Sequence, residues 1–396
     1  MMTPNRYLDE ERLAIQARAR RFAVDEVLPV ANECDPRKAD IPPTLLGRIA
    51  AMGYFGIMID AEYGGMGKGV FEYALITEEL ARAWMSVASI IARGNGLGTQ
   101  VADPDRRAAL LRRCARGEWV GAAALSEANA GSDLANVQCR AERVGDEYVV
   151  RGEKRWCGNA LNADFIMLLA READPAPGEP KSRGLLSLLI EKERGSFPAG
   201  LSGVPIDKIG YHGLTTFNLR FDGLRVPAAN RLGGLAEGPV PRTRRAFNAT
   251  LHGLNIARVH TAARAVGLAR GALEDALAYA QQRVQFERPI ASFQAIRFKL
   301  ADMATEVEAA RALTYQVAQQ LDDGLPVEKE AAMVKLFATE MAERATSTGL
   351  QIHGGNGYTT EYAAQRYWRD ARLTTIFEGT SEIQRRIISD RLLGTK

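Results

Sequence analysis

The chain has 396 residues, 46% hydrophobic and 25% charged, with 51 Lys and Arg against 48 Asp and Glu for a formal net charge of +3. That length supports two or three domains with substantial cores, and a nearly balanced charge without like-charge runs excludes a nucleic-acid arm or a polybasic membrane patch. Cys34, Cys114, Cys139 and Cys157 have no CxxC spacing and the four histidines never pair as HxxxH or HExxH, so neither metal nor disulfide is expected. The first residues are polar and no stretch reaches the roughly eighteen apolar residues of a membrane span, so a cytoplasmic location with no membrane partner is expected. The arginines are scattered through helical segments and read as solvated faces.

From 9 to 116 apolar residues recur at helical spacing, as in Ile15, Ala19 and Phe22, then Leu80, Trp84, Ala88 and Ile91. One helix is expected to run from near Ile76 up to Gly94. Turn-rich stretches at 63–67 and 102–105 connect the helices. Between 118 and 234 the period becomes two, with Phe217, Leu219 and Phe221 alternating with Asn218, Arg220 and Asp222. Further strands are expected at 147–156, 164–170 and 185–191, with a Pro-rich loop at 173–184. After Pro241, amphipathic runs at 248–283, 293–323, 327–350 and 381–393 make a bundle. The expected fold is α+β, with an N-terminal all-helical domain at 1–118, a middle β domain at 119–235 and a C-terminal four-helix bundle at 236–396. There is no alternating βα rhythm and no GxGxxG after an opening strand, which disfavours a Rossmann domain.

Four segments concentrate Gly, small hydroxyls and isolated charges beside apolar elements, as backbone-mediated ligand binding requires. They are Ala124-Leu125-Ser126-Glu127-Ala128-Asn129-Ala130-Gly131-Ser132-Asp133, Arg155-Trp156-Cys157-Gly158-Asn159-Ala160, Gln351-Ile352-His353-Gly354-Gly355-Asn356-Gly357-Tyr358, and Phe377-Glu378-Gly379-Thr380-Ser381-Glu382. The bland readings are a capped turn, a core Trp, a helix C-cap and a capping carboxylate. A plain C-cap needs one glycine rather than three. Glu378, between apolar residues and the last helix, is either a cap or a base with a raised pKa.

In this order and spacing the segments resemble the acyl-CoA dehydrogenase family, from about residue 10 to the C-terminus. The first fits its L-[ST]-E-x-x-x-G-S-D signature, and the third, with Glu361, Arg366 and Asp370 beyond it, fits the second signature. The resemblance implies FAD in a cleft between the middle domain and the bundle, and a homotetramer built from dimers. Leu125, Ser126 and Ser132 would contact flavin or the thioester arm, with Trp156 and Gly158 beside the isoalloxazine. Arg283, Phe286 and Gln294 would reach the partner subunit's FAD, and Gln351, Gly354 and Gly355 its adenosine diphosphate. Thr380 and Glu382 would touch a subunit's own cofactor, while Asn255, Arg258, Gly379 and Ser132 would meet substrate. The implied reaction is α,β-dehydrogenation of an acyl-CoA or acyl-carrier-protein thioester. Glu378 takes the α-proton, Arg258 organises the site, flavin N5 takes the β-hydride, and an electron-transferring flavoprotein collects the electrons. The other readings are a flavin oxidase or monooxygenase of the same fold, or a non-catalytic flavin-binding homologue.

Three positions depart from the family pattern. Ala257 stands where some members carry the base, so Glu378 is the single candidate. Gly158 replaces a frequent Thr or Ser that bonds flavin N5, and Glu287 replaces a glycine beside the cross-subunit site, where it is expected to point outward. The resemblance implies that Arg93 falls where the family's acyl-cavity floor lies, with Ser89 one turn earlier on the same face. It either snorkels to solvent or turns inward to pair with a polar acyl tail.

Overall fold

The computed structural model describes residues 6–233 and 242–394, with the side chains of 242–252 outside the description. The N-terminal helices are α1 (Glu10–Phe22), α2 (Leu28–Cys34), α3 (Pro43–Ala51), α4 (Val70–Ala83), α5 (Met85–Ile90) and α6 (Pro104–Ala115). Asp9 caps α1 by accepting from Arg12 N, and Asp103 caps α6 ahead of Pro104, both satisfying orphan N–H groups of a first turn. The single helix expected from Ile76 to Gly94 is broken. Trp84, fully buried, takes extended angles (φ −158°, ψ 112°), and a 3-10 turn Ile91–Arg93 follows α5. Every residue from 70 to 91 except Arg82 is buried, so the apolar spacing gives no sign of the break at Trp84.

The strands are β1 (Gly121–Ala124), β2 (Arg140–Val144), β3 (Glu147–Gly158), β4 (Phe165–Arg171), β5 (Leu185–Glu191), β6 (Leu201–Ile206), β7 (Thr216–Pro227) and β8 (Arg231–Leu232). They form one sheet in the order β6-β7-β3-β2-β4-β5-β8, with β1 parallel to β4. On β7, Phe217, Leu219 and Phe221 are buried while Asn218, Arg220 and Asp222 are exposed, the two-residue alternation of a half-buried strand. The β3–β7 register slips between Lys154 and Cys157, and such a bulge re-aims the side chains it skips.

The C-terminal helices are α7 (Arg242–Gln282), α8 (Gln294–Asp322), α9 (Glu328–His353), α10 (Ala364–Thr374) and α11 (Ser381–Leu393), with a small hairpin of β9 (Val284–Gln285) and β10 (Arg288–Pro289) after α7. The N- and C-terminal helices share one core, in which Phe71, Ile76 and Leu80 of α4 join Val259, Ala263 and Val266 of α7 and Ala338 of α9. Gly267 permits this: a Cβ there would stand 2.3 Å from the Glu78 carbonyl oxygen. Inside the same contact Arg270 bonds Glu79 (2.7 Å), Arg311 bonds Glu78 (3.1 Å) and the Tyr315 hydroxyl donates to Glu78 (3.0 Å). Removing one member of such a buried set costs about 3–5 kcal/mol, because the other charge is left unpaired. Arg258, Arg264, Arg270, Arg311 and Arg366 of the helices are all buried, so the reading of the arginines as solvated faces fails for these five.

Candidate active site

The turn between α10 and α11 presents Glu378. Glu378 and Gly379 both lie in the left-handed region, at φ 53° and 90°. For a side-chain-bearing residue that conformation costs about 1–3 kcal/mol and persists only when its surroundings enforce it. Here they do. The Gly379 carbonyl accepts from Lys335 Nζ of α9 (2.7 Å) and from Gln384 Nε2 of α11 (3.0 Å). Ser381 N–H donates to the Thr375 carbonyl (3.0 Å), and the Thr380 hydroxyl caps α11. The Glu378 N–H has no backbone acceptor among the described residues.

The Glu378 carboxylate is held from α7. Arg264 Nη2 donates to Oε1 (2.7 Å) and the Thr261 hydroxyl to Oε2 (2.5 Å). Arg264 is itself fixed, donating to Ser89 of α5 (2.9 Å) and to Thr261 (2.7 Å) and stacking over the Phe377 ring at 4.6 Å. The expectation of a raised pKa at Glu378 is overturned. Burial pushes the carboxyl up, but the Arg264 charge and the Thr261 hydrogen bond outweigh it and hold the group below the usual carboxylate range. Beside it, burial brings His260 down to about 3, so it is neutral, stacked on Tyr73 at 4.8 Å with Nε2 against the Ala88 carbonyl. Burial also brings Lys335 down to about 8.

Arg258 and Asn255 are buried and bonded to each other (2.8 Å). The guanidinium that contacts Glu378 belongs to Arg264, two helical steps of three residues further along α7. Arg264, Thr261 and Lys335 were missed in the sequence, where Arg264 sits among alanines like any helix-surface arginine. A polar residue at three-residue intervals from Asn255 and Arg258 was the available signal. Arg93 turns inward: its Nη2 lies 2.9 Å from the point a Gly158 Cβ would occupy.

The first two segments meet. Arg155 N–H donates to the Ser126 carbonyl (2.8 Å), and Lys154 Nζ to the Leu125 carbonyl and Glu127 carboxylate (2.8 Å each). Trp156, in the bulge at φ 66°, is left 54% exposed with the Arg155 guanidinium 4.6 Å over its ring. Ser132 is exposed, and Gly131 beside it opens onto free space. At the opposite end of α7, Arg283, Phe286 and Gln294 are exposed, with Phe286 at 87%. Phe286 and Glu287 form the tip of the β9–β10 hairpin with φ 50° and 64°, the two positive values of a type I′ turn. Glu287 is exposed, as expected. Tyr279 of α7 packs on the glycine loop, its ring 4.5 Å from His353 at a 30° tilt and its hydroxyl accepting from Asn356 (2.9 Å). Gln351, Gly354 and Gly355 are exposed, and a Cβ at either glycine would meet open space. Thr380 and Glu382 border a groove of about 540 Å³ with Arg344, Trp368 and Arg372. A half-exposed indole, open glycines and a groove at α11 fit a large planar cofactor with a diphosphate.

Arg366 and Asp370 of the second signature make no hydrogen bond to Glu378. Arg366 donates to Asn32 (3.0 Å), and Asp370 accepts from Tyr211 N–H (2.6 Å), so they lock α10 to the other two regions. Burial beside Asp35 raises Asp370 to about 6.

Family models for the N-terminal, middle and C-terminal domains of acyl-CoA dehydrogenase match residues 9–118, 122–224 and 245–393. The chain is 39% identical over 394 residues to the (2S)-methylsuccinyl-CoA dehydrogenase of Cereibacter sphaeroides, covering 98% of this chain and 70% of that protein. It is also 39% identical over 394 residues to the probable acyl-CoA dehydrogenase YngJ of Bacillus subtilis, covering 98% and 99%. A glutaryl-CoA dehydrogenase of Mycobacterium smegmatis, solved in complex with FADH2, superposes with a TM-score of 0.87 at 26% identity, covering 98% and 96%. The chain belongs to the acyl-CoA dehydrogenase family, and its activity is that of an oxidoreductase. No helix among the described residues is long and apolar enough to cross a membrane.

Proposed function

We propose that this enzyme binds FAD and dehydrogenates an acyl-CoA thioester between Cα and Cβ, with Glu378 as the base. The observation that carries this reading is the strained turn that holds Glu378 ionised at the junction of α7, α9 and α11. Each carboxylate oxygen receives one donor and keeps a lone pair, so the group can still accept the α-proton. The Glu378 N–H is free to bind the thioester carbonyl, stabilising negative charge as the proton leaves. Bound FAD would supply the hydride acceptor for the β-hydrogen. Trp156, Leu125, Ser126 and Ser132 would hold its ring side, and Thr380 and Glu382 its ribityl and diphosphate side. Arg283, Phe286, Gln294, Gln351, Gly354 and Gly355 would serve a cofactor shared with a second copy, in a homotetramer. An electron-transferring flavoprotein would then reoxidise the enzyme. Methylsuccinyl-CoA and glutaryl-CoA, named by two relatives, are the first thioesters to test.

Glu378→Gln decides the reading. A Gln oxygen can still face Arg264 and its amide can donate to Thr261, so shape and FAD are kept while proton acceptance is lost. Flavin bleaching in anaerobic stopped flow should slow by about 10²–10⁴-fold. Bleaching within about tenfold of the parent rate would move the base elsewhere.

A further inference from the structure

Tyr211, and not the glycine before it, takes a left-handed backbone in the β6–β7 loop, with φ 56°. A bulky residue adopts that region only when its surroundings enforce it. Here both of its backbone polar groups are held. The N–H donates to Asp370 of α10 (2.6 Å), and the carbonyl accepts from Lys208 Nζ (3.0 Å), which also lies 5.1 Å from the ring centroid. Around Tyr211 the loop is keyed into both helical regions. Ile41 N–H donates to the Gly213 carbonyl (2.9 Å), Thr215 N–H donates to Asp40 (2.6 Å), and a Cβ at Gly210 would stand 2.8 Å from Arg369 Cβ.

What this frame presents is the Tyr211 ring. It is buried and meets Phe377 edge to face, with centroids 6.0 Å apart at 83°. Phe377 immediately precedes Glu378, and its ring also carries the Arg264 guanidinium at 4.6 Å. Glu378 is itself left-handed, at φ 53°. Two side-chain-bearing residues in a costly conformation, one from the middle region and one from the α10–α11 turn, are thus joined through the Phe377 ring. A tyrosine that only filled the core could sit on ordinary backbone angles, whereas strain enforced from both sides marks a residue whose direction matters.

We propose that Tyr211 is a positioning residue for the base: its ring fixes Phe377, and Phe377 fixes where the Glu378 carboxylate stands. This rests on the dehydrogenation proposed above. Ring shape and edge-to-face attraction carry the effect, so it belongs to the ring and not to the hydroxyl or the backbone. A displacement of about 1 Å at a reacting group costs about a hundredfold in rate.

The test measures flavin bleaching by glutaryl-CoA and methylsuccinyl-CoA in anaerobic stopped flow, on the FAD-loaded enzyme and its variants. Tyr211→Gly accepts the left-handed backbone freely and lacks the ring. It should slow bleaching at saturating thioester by at least about tenfold. Tyr211→Phe puts the ring back and should restore the rate to within about threefold of the parent. Thioester Kd, read by flavin absorbance in the Glu378→Gln background, should change by less than about threefold in both, because the loss lies in the reacting geometry and not in binding. Tyr211→Leu and Phe377→Leu should each slow bleaching, and the double variant should be no slower than the slower single one, since both remove the same contact. A Gly variant as fast as the parent would assign the strain to loop shape alone, and a slow Phe variant would assign the role to the hydroxyl. Either result overturns the proposal, as does a loss confined to Kd or an additive pair of Leu effects. If Tyr211→Gly does not fold, the Phe variant and the Leu pair decide. Those outcomes leave dehydrogenation standing, whereas failure of every thioester to bleach the parent flavin overturns both readings.

Discussion

Arg264→Met removes the cation that keeps Glu378 ionised, and the geometry fixes the sign of the effect. The guanidinium is 1% exposed and 2.7 Å from Oε1, whereas the Glu378 side chain is 34% exposed. Unit charges about 4 Å apart attract by about 4 kcal/mol at an effective dielectric constant near 20. Solvent at the open third of the carboxylate screens this to about 2 kcal/mol. With Arg264 gone, burial is the leading influence on Glu378 and acts upward. The acid limb of flavin bleaching against pH should therefore move to higher pH, with glutaryl-CoA as the probe in anaerobic stopped flow. Stability follows the same linkage: Glu378 titrates low in the folded parent, so the stability that Arg264 supports is present above the unfolded carboxylate range. It is lost as the pH falls through the folded value. The parent's margin over the variant in thermal unfolding should shrink on acidification. An acid limb that stays in place or moves down would refute the assignment of Arg264 as the group that sets the charge of the base.

Two further outcomes test the supports of the site. In Lys335→Met the turn loses its bond to the Gly379 carbonyl, and bleaching should slow at least about tenfold through misplacement of Glu378. Lys335 is brought down by burial to about 8 when folded, against the ordinary 10.5 of a solvated lysine. Its buried charge thus costs roughly 3 kcal/mol below that pH, and the parent regains stability as the pH rises from 8 to 10.5. The variant should lack that rise and unfold near the parent temperature at neutral pH, and a parent-like bleaching rate would show that the clamp does not position the base. Arg283→Ala should release FAD, read by absorbance after gel filtration together with particle size. A monomer with full flavin occupancy would contradict a cofactor shared between copies.

Much of this was legible in the sequence because it is written in local patterns. The two-residue alternation on β7 and the long amphipathic runs of α7, α8 and α9 reflect one-sided burial, which needs only neighbouring residues to be read. Glu378 stood out for the same reason, as a lone carboxylate between apolar residues and a helix start. What the sequence could not determine is what meets across the fold. Arg264 lies 114 residues from Glu378, and nothing local distinguishes it from a surface arginine, so the lowered rather than raised pKa of the base was decided by packing of α7 against the α10–α11 turn. The expected helix breaks at Trp84, whose buried ring lies against Gly213 of the middle region, where a Cβ would stand 2.5 Å from the indole. The direction of Arg93 was open in the sequence, and in the structure its guanidinium lies against Gly158, 65 positions away, where a Cβ would stand 2.9 Å from Nη2. Local pattern sets which face of an element is buried; only the tertiary structure brings charges from distant elements to one point, and their mutual distances then fix the chemistry.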